Sequence, residues 1–276
     1  MRLSLGTRSY DLRTRALVMG ILNRTPDSFY DRGDYWDLGS FYRRAEELVA
    51  AGADLLDVGG VKAGSGPEGG EAEELDRVVP AVAGLRARFD LPLSVDTWRA
   101  SVAAECYRAG AVMGNDISGF ADPSYLPVAA AAGAAVVATH IRLAPRVRDP
   151  DPRYGDVVED VRSFLEQRIS RARAAGIGAD RIVVDAGLDL GKTTPQSLAL
   201  LAGSARLAGL GVPLLLSASN KGFLGEAFGL GIGERREASI AAHAVGVSLG
   251  CRILRVHDVA AARRVRDTLA AVLEAG

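Results

Sequence analysis

Residues 51–60 read AGADLLDVGG. The stretch joins two local signals. Ala-Gly-Ala is a small-residue helix end whose glycine suits the position just beyond a helix C-terminus. DLLDV is short and apolar on both faces, as in a strand of a parallel sheet covered by helices. The same junction returns as AGAV at 109–112 and AGAA at 132–135. Strand-like runs recur along the whole chain: LVMGIL (17–22), DLLDVGG (54–60), LPLSVDT (91–97), AVMGNDISG (111–119), AAVVATHI (134–141), RIVVDAG (181–187), PLLLSAS (213–219) and RILRVHD (252–258).

Amphipathic segments separate these runs. Residues 39–53 place Phe41, Ala45, Leu48 and Val49 on one face, and residues 157–177 do the same with Val157, Val161, Phe164, Leu165 and Ile169. Eight strand–helix units in 276 residues indicate one α/β domain over 1–276, a (β/α)8 TIM barrel. The first fifteen residues, with LSL and YDL, read as a short N-terminal hairpin closing the barrel bottom. A doubly wound open sheet is the runner-up, but no Gly-rich dinucleotide fingerprint is present.

Hydrophobic residues make up 48% of the chain and the formal net charge is -1. That supports a large core and gives no basic excess pointing to nucleic acid or an anionic membrane. Two distant cysteines, Cys106 and Cys251, suggest buried reduced thiols rather than a disulfide framework or zinc site. The N-terminus lacks an apolar signal core, and the Ala-rich stretch before His140 is split by Gly133. The expected location is cytoplasmic.

In such barrels chemistry sits where strands end. The ends carry Asn23, Asp96, Asn115 with Asp116, His140, Asp185, Ser219 with Lys221, and Arg255 with His257. Each alone has a plain explanation. Asp96 could cap a helix, Asp185 and Lys221 could pair, His140 could be a satisfied core histidine, and His257–Asp258 could cap the last helix. Together they suit one ligand. Carboxylates and amides without a metal-type cluster fit a flat heterocycle with adjacent N–H donors, while Lys221 and Arg255 offer charge to a carbonyl or phosphate. GLDLGK (187–192) is a weak phosphate signal without P-loop spacing.

MGILNRTPDSFYDRG, DLLDVGG, SVDT, GNDISG, VVDAGLDLGK, SNKGFLG and RVHDV resemble, in order, the signature segments of dihydropteroate synthases. The family joins 6-hydroxymethyl-7,8-dihydropterin pyrophosphate to 4-aminobenzoate in folate biosynthesis, releasing pyrophosphate, and is usually a homodimer. By this resemblance Asp96, Asn115, Asp185 and Lys221 hold the pterin. Asn23 serves the pyrophosphate and its Mg2+. Arg255 and His257 line the pyrophosphate site. The first loop, with Arg24 and Asp31, closes over the reacting groups as a lid. Asn23, Lys221, Arg255 and His257 are thereby the catalytic candidates.

The chain departs from the family on one side. GGESTRPG has become GGVKAGSG, so that Val61, Lys62, Ala63 and Gly64 replace Glu, Ser, Thr and Arg. DPGIGFGK has become DAGLDLGK, with Leu190 for the Phe beside the aminobenzoate ring and Asp189 adding charge near its carboxylate. Gly222 stands for a Ser. Lys62 and Arg24 supply cations that could act on pyrophosphate. NRTPDSFYD and GGVKAG are similar to a diverged second synthase-like paralogue of some actinobacteria, regarded as inactive in folate synthesis. The expectation is a dihydropteroate synthase-like transferase with doubtful 4-aminobenzoate use. The alternative is a diverged paralogue that keeps the pterin pocket in a binding or regulatory role.

Overall fold

The structure is a computed structural model that describes residues 1–24, 37–61, 66 and 69–275. Eight parallel strands close a barrel: β3 (Leu17–Asn23), β4 (Leu55–Gly59), β5 (Leu93–Asp96), β6 (Met113–Asp116), β7 (Ala135–Thr139), β8 (Ile182–Asp185), β9 (Leu214–Leu216) and β10 (Cys251–Val256). Closure comes from β10 pairing with β3, Arg255 lying opposite Met19. Ahead of the barrel, β1 (Arg2–Leu5) and β2 (Arg8–Asp11) form the antiparallel hairpin.

The helices are α1 (Leu38–Ala50), α2 (Glu71–Arg88), α3 (Ala100–Arg108), α4 (Tyr125–Ala131), α5 (Val157–Ala174), α6 (Thr194–Ala202), α7 (Ser204–Ala208), α8 (Gly222–Phe228), α9 (Arg236–Ser248) and α10 (Val259–Ala275). The AGA junctions work as their composition suggests. Gly52, Gly110 and Gly133 have φ of +97°, +112° and +61°. Gly52 N donates to Val49 O and Ala53 N to Leu48 O, the paired bonds that stop a helix and aim the chain into the next strand. The same pair of bonds ends α3 and α4.

Alternation along the strands makes two cores. Outward side chains pack under the helices, with Phe41, Ala45, Leu48, Val161, Leu165 and Ile169 buried and Val49, Val157 and Phe164 half-buried. Inward side chains such as Met19, Leu55, Met113, Val183, Leu215 and Ile253 fill the barrel, and Leu3, Leu5 and Leu12 seal its lower end. Cys106 and Cys251 are free, buried thiols, each pushed up to about 12 by burial. Among the described residues no helix is long and apolar enough to cross a membrane.

Candidate active site

Strand register sets the upper layer of the mouth. Asn23 lies opposite Gly59, Gly59 opposite Asp96, and Asp96 opposite Asn115. Gly59 makes the row possible, because a methyl group there would sit 2.8 Å from Asn23 Oδ1. Asp185 ends β8 on the other side, opposite Thr139 and Leu215.

Below Gly59, on the same face of β4, lies Asp57, fully buried. It had no role in the sequence reading, although a carboxylate inside the apolar run LLDVG needs a partner. The partner is Arg255. Its Nε donates to Asp57 Oδ2 at 2.6 Å, and its Nη2 donates to Asp96 Oδ2 at 2.7 Å. Asn115 Nδ2 donates to the same Asp57 oxygen at 3.0 Å. Residues from β4, β5, β6 and β10 thus share one network.

Burial dominates the electrostatics of this network. It pushes Asp96 up to about 7, against the attraction of Arg255. Desolvation works against the Arg255 charge, but Asp57 and Asp96 outweigh it and the guanidinium is held more firmly protonated than usual. Asp185 is raised by burial and partly restored by Gly187 N, which donates to Oδ1 at 2.8 Å. Lys221 immediately precedes α8 and is half-buried. It makes no ion pair with Asp185, yet its charge favours the Asp185 carboxylate. The simple pairing of these two residues is therefore not their role.

His257 stands beside this group. Its Nδ1 lies 3.0 Å from Ser219 Oγ, which also accepts from His257 N at 3.2 Å. The hydroxyl then has its proton to give to Nδ1, leaving Nε2 as the N–H. Burial, reinforced by Arg255 and Lys221, drives the imidazole down to about 3, so it is neutral. Asp258 caps α10, Ala261 N donating to it at 2.9 Å.

Other polar strand ends serve the scaffold. Asp96 is no helix cap; Ala100 N at the start of α3 bonds to Asp122 instead. Asp116 accepts from Ser118 N and Phe120 N and holds the turn after β6. His140 is a satisfied core histidine, its Nδ1 lying 2.9 Å from Lys192 Nζ. Lys192 also donates to Gly187 O and Leu190 O. Burial lowers it to about 7. The GLDLGK lysine is thus turned inward onto its own loop, which is no phosphate cradle.

Where the sequence departs from the family, Asp189 carries φ of +66° and accepts from Gly222 N at 2.5 Å and Phe223 N at 3.1 Å. It caps α8 from across the mouth. A methyl group on Gly222 would stand 3.2 Å from the Asp189 carboxylate, so this glycine accommodates the contact. Arg24 Nη1 donates to Arg77 O at 2.8 Å on α2, and Arg24 N to Gly59 O. Asp31, Lys62, Ala63 and Gly64 lie outside the described residues.

Residues 19–257 match the family described as pterin binding enzymes. The chain belongs to that pterin-binding family. It is 45% identical over 264 residues to the Mycobacterium leprae protein named inactive dihydropteroate synthase 2, covering 94% of this chain and 91% of the relative. The Yersinia pestis dihydropteroate synthase in complex with a sulfonamide drug superposes with a TM-score of 0.95 at 37% identity, covering 100% of both chains. The Xanthomonas albilineans dihydropteroate synthase with 4-aminobenzoic acid gives 0.89 at 39% identity, covering 98% of this chain and 97% of the other. This pterin-binding protein is therefore dihydropteroate synthase-like, and its relatives include synthases as well as a protein named inactive.

Proposed function

We propose that the pocket binds 6-hydroxymethyl-7,8-dihydropterin pyrophosphate and that the protein is a synthase-type transferase with weakened use of 4-aminobenzoate. The carrying observation is the convergence of Asp96, Asn115, Asp185, Lys221 and Arg255 on one barrel mouth. Asp185 has one oxygen bonded to Gly187 N, and its other oxygen takes no hydrogen bond from the protein among the described residues. It is thus ready for ring N–H groups. Lys221, whose charge is felt at Asp185, would serve the ring carbonyl.

In the reaction the bond between the pterin methylene carbon and the pyrophosphate oxygen breaks, its electron pair leaving with pyrophosphate. The aniline nitrogen then bonds to that carbon and gives up a proton. In this reading Arg255 and neutral His257 would offer N–H donors to the leaving oxygens. Mg2+ would arrive with the pyrophosphate. Such an ion keeps several waters and takes one or two protein oxygens, which suits the Asn23 carboxamide at the mouth.

Asp189 favours the second reading, a diverged paralogue with little synthase activity. Its carboxylate already takes the N–H groups that open α8, and it faces the side where the sequence departs from the family. Leu190 cannot reproduce aromatic stacking. A homodimer in the cytoplasm completes the proposal. A groove between α9 and α10, lined by Ile240, Ala244, Val265 and Leu269, supports the dimer. Complementation of a synthase-deficient strain tests the function. Growth without added folate supports the transferase, and no growth despite soluble expression supports the diverged paralogue.

A further inference from the structure

Arg255 enters the pocket with its guanidinium fork divided between two carboxylates, Nε on Asp57 Oδ2 and Nη2 on Asp96 Oδ2. The shape of the fork matches the two oxygens of a single carboxylate, with two parallel bonds. Asp57 offers such an edge. Its Oδ1 is buried and takes no hydrogen bond among the described residues. An unsatisfied acceptor at a buried charge is costly and calls for a donor in some state of the molecule. The Nη2 group of Arg255, now on Asp96, belongs to a side chain that already touches this carboxylate. Because Nε already anchors the side chain on Asp57, a small rotation about that bond moves Nη2 from one carboxylate to the other.

We propose that Arg255 has two stations: it bridges Asp57 and Asp96 in the empty pocket, and it retracts to a two-bond pairing with Asp57 when a heterocycle bearing adjacent N–H donors takes Asp96. The inference rests on the pterin reading of this pocket. Asp57 then touches no ligand. It is a positioning residue that acts through Arg255, giving the guanidinium a place to go. Asp96 exchanges one set of N–H donors for another and is never left buried without a partner. An asparagine at position 57 offers a neutral edge with one acceptor. The guanidinium would stay on Asp96 and compete with the ring.

Calorimetry with 6-hydroxymethylpterin tests this as a double-mutant cycle. Asp57→Asn is expected to weaken binding about tenfold, the loss of one charge-assisted hydrogen bond. In an Arg255→Gln background the same change is expected to cost less than about twofold, because the residue through which Asp57 acts is gone. Equal losses in both backgrounds would mean a structural role and would overturn the proposal. Should the variants fail to fold, a crystal structure of the unaltered protein with 6-hydroxymethylpterin decides. Both Arg255 bonds on Asp57 support the two stations. Arg255 still on Asp96, with a water on Asp57 Oδ1, refutes them. If the unaltered protein binds no pterin at millimolar concentration, the reading of the pocket itself is wrong and the two stations fall with it.

Discussion

In the proposed site Asp185 would divide its carboxylate between scaffold and ligand. Gly187 N donates to Oδ1, which would leave Oδ2 for the ring. Asp185→Asn keeps the shape but removes the charge and can leave one acceptor in all. A hydrogen bond to a charged group contributes about 1.5–3 kcal/mol, so pterin affinity should fall roughly 10- to 150-fold. Titration calorimetry measures this directly, and equal affinity for both proteins would remove Asp185 from the pterin site. Asp189 gives a second test. Asp189→Gly frees the N–H groups of Gly222 and Phe223 and suits φ of +66°. The cap lost from α8 costs about 1 kcal/mol, partly offset by relief of the left-handed backbone. The KM for 4-aminobenzoate should fall severalfold, since a competing carboxylate has gone; an unchanged KM would show that Asp189 is only a cap. Asp96, Asn115 and Arg255 were legible as a site because strand ends of one barrel must converge. Asp57 was not, because nothing in LLDVG names a partner about 200 positions away. Nor was the inward turn of Lys192, which depends on loop backbone carbonyls. The Asp189 charge was legible, but its engagement with α8 required the fold.

Elements carry the next level. The strand–helix periodicity and the AGA junctions were readable because both are local: alternation, a helix face and a left-handed glycine need only neighbouring residues. Exact boundaries were less so, since most runs extended a residue or more beyond the strands, as at β9, which spans Leu214–Leu216 out of 213–219, whereas β3 runs one residue past 17–22. α9 holds a feature with no local signal. His243 is 3% exposed, and neither ring nitrogen has a hydrogen-bond partner among the described residues. Burial lowers its pKa from 6.5 to about 4. Unfolded, it takes a proton as the pH falls through 6.5; folded, it resists until about 4. Its stabilising contribution is therefore complete above pH 6.5 and is lost as the pH falls toward 4, about 2 kcal/mol by pH 5. Asp116 acts in the opposite sense, since burial raises it from 3.8 to about 6 and its contribution is lost as the pH rises through 6. Comparing the unaltered protein with His243→Leu cancels such background. Denaturant unfolding at pH 7.5 and pH 5 should show the variant gaining about 2 kcal/mol relative to the parent at the lower pH. A constant difference would mean that His243 is protonated or hydrogen-bonded when folded.

At the scale of the whole molecule, the sealed lower end puts the candidate site at the C-terminal mouth, and the proposed dimer would use the helical flank. Val245 and Val272 are 45% and 61% exposed on α9 and α10, beside the groove of Ile240 and Leu269. Light scattering at micromolar concentration should give the mass of two chains, and Val272→Glu should shift it toward one; a monomeric mass for the unaltered protein would remove the dimer. The proposed function joins an intact pterin side to a weakened 4-aminobenzoate side. One assay tests it, following pyrophosphate and dihydropteroate together after 6-hydroxymethyl-7,8-dihydropterin pyrophosphate, 4-aminobenzoate and Mg2+ are supplied. Pyrophosphate should appear faster than dihydropteroate, and Asp185→Asn should suppress both. Dihydropteroate formed one for one with pyrophosphate, at the rate of an ordinary synthase run alongside, would contradict the account.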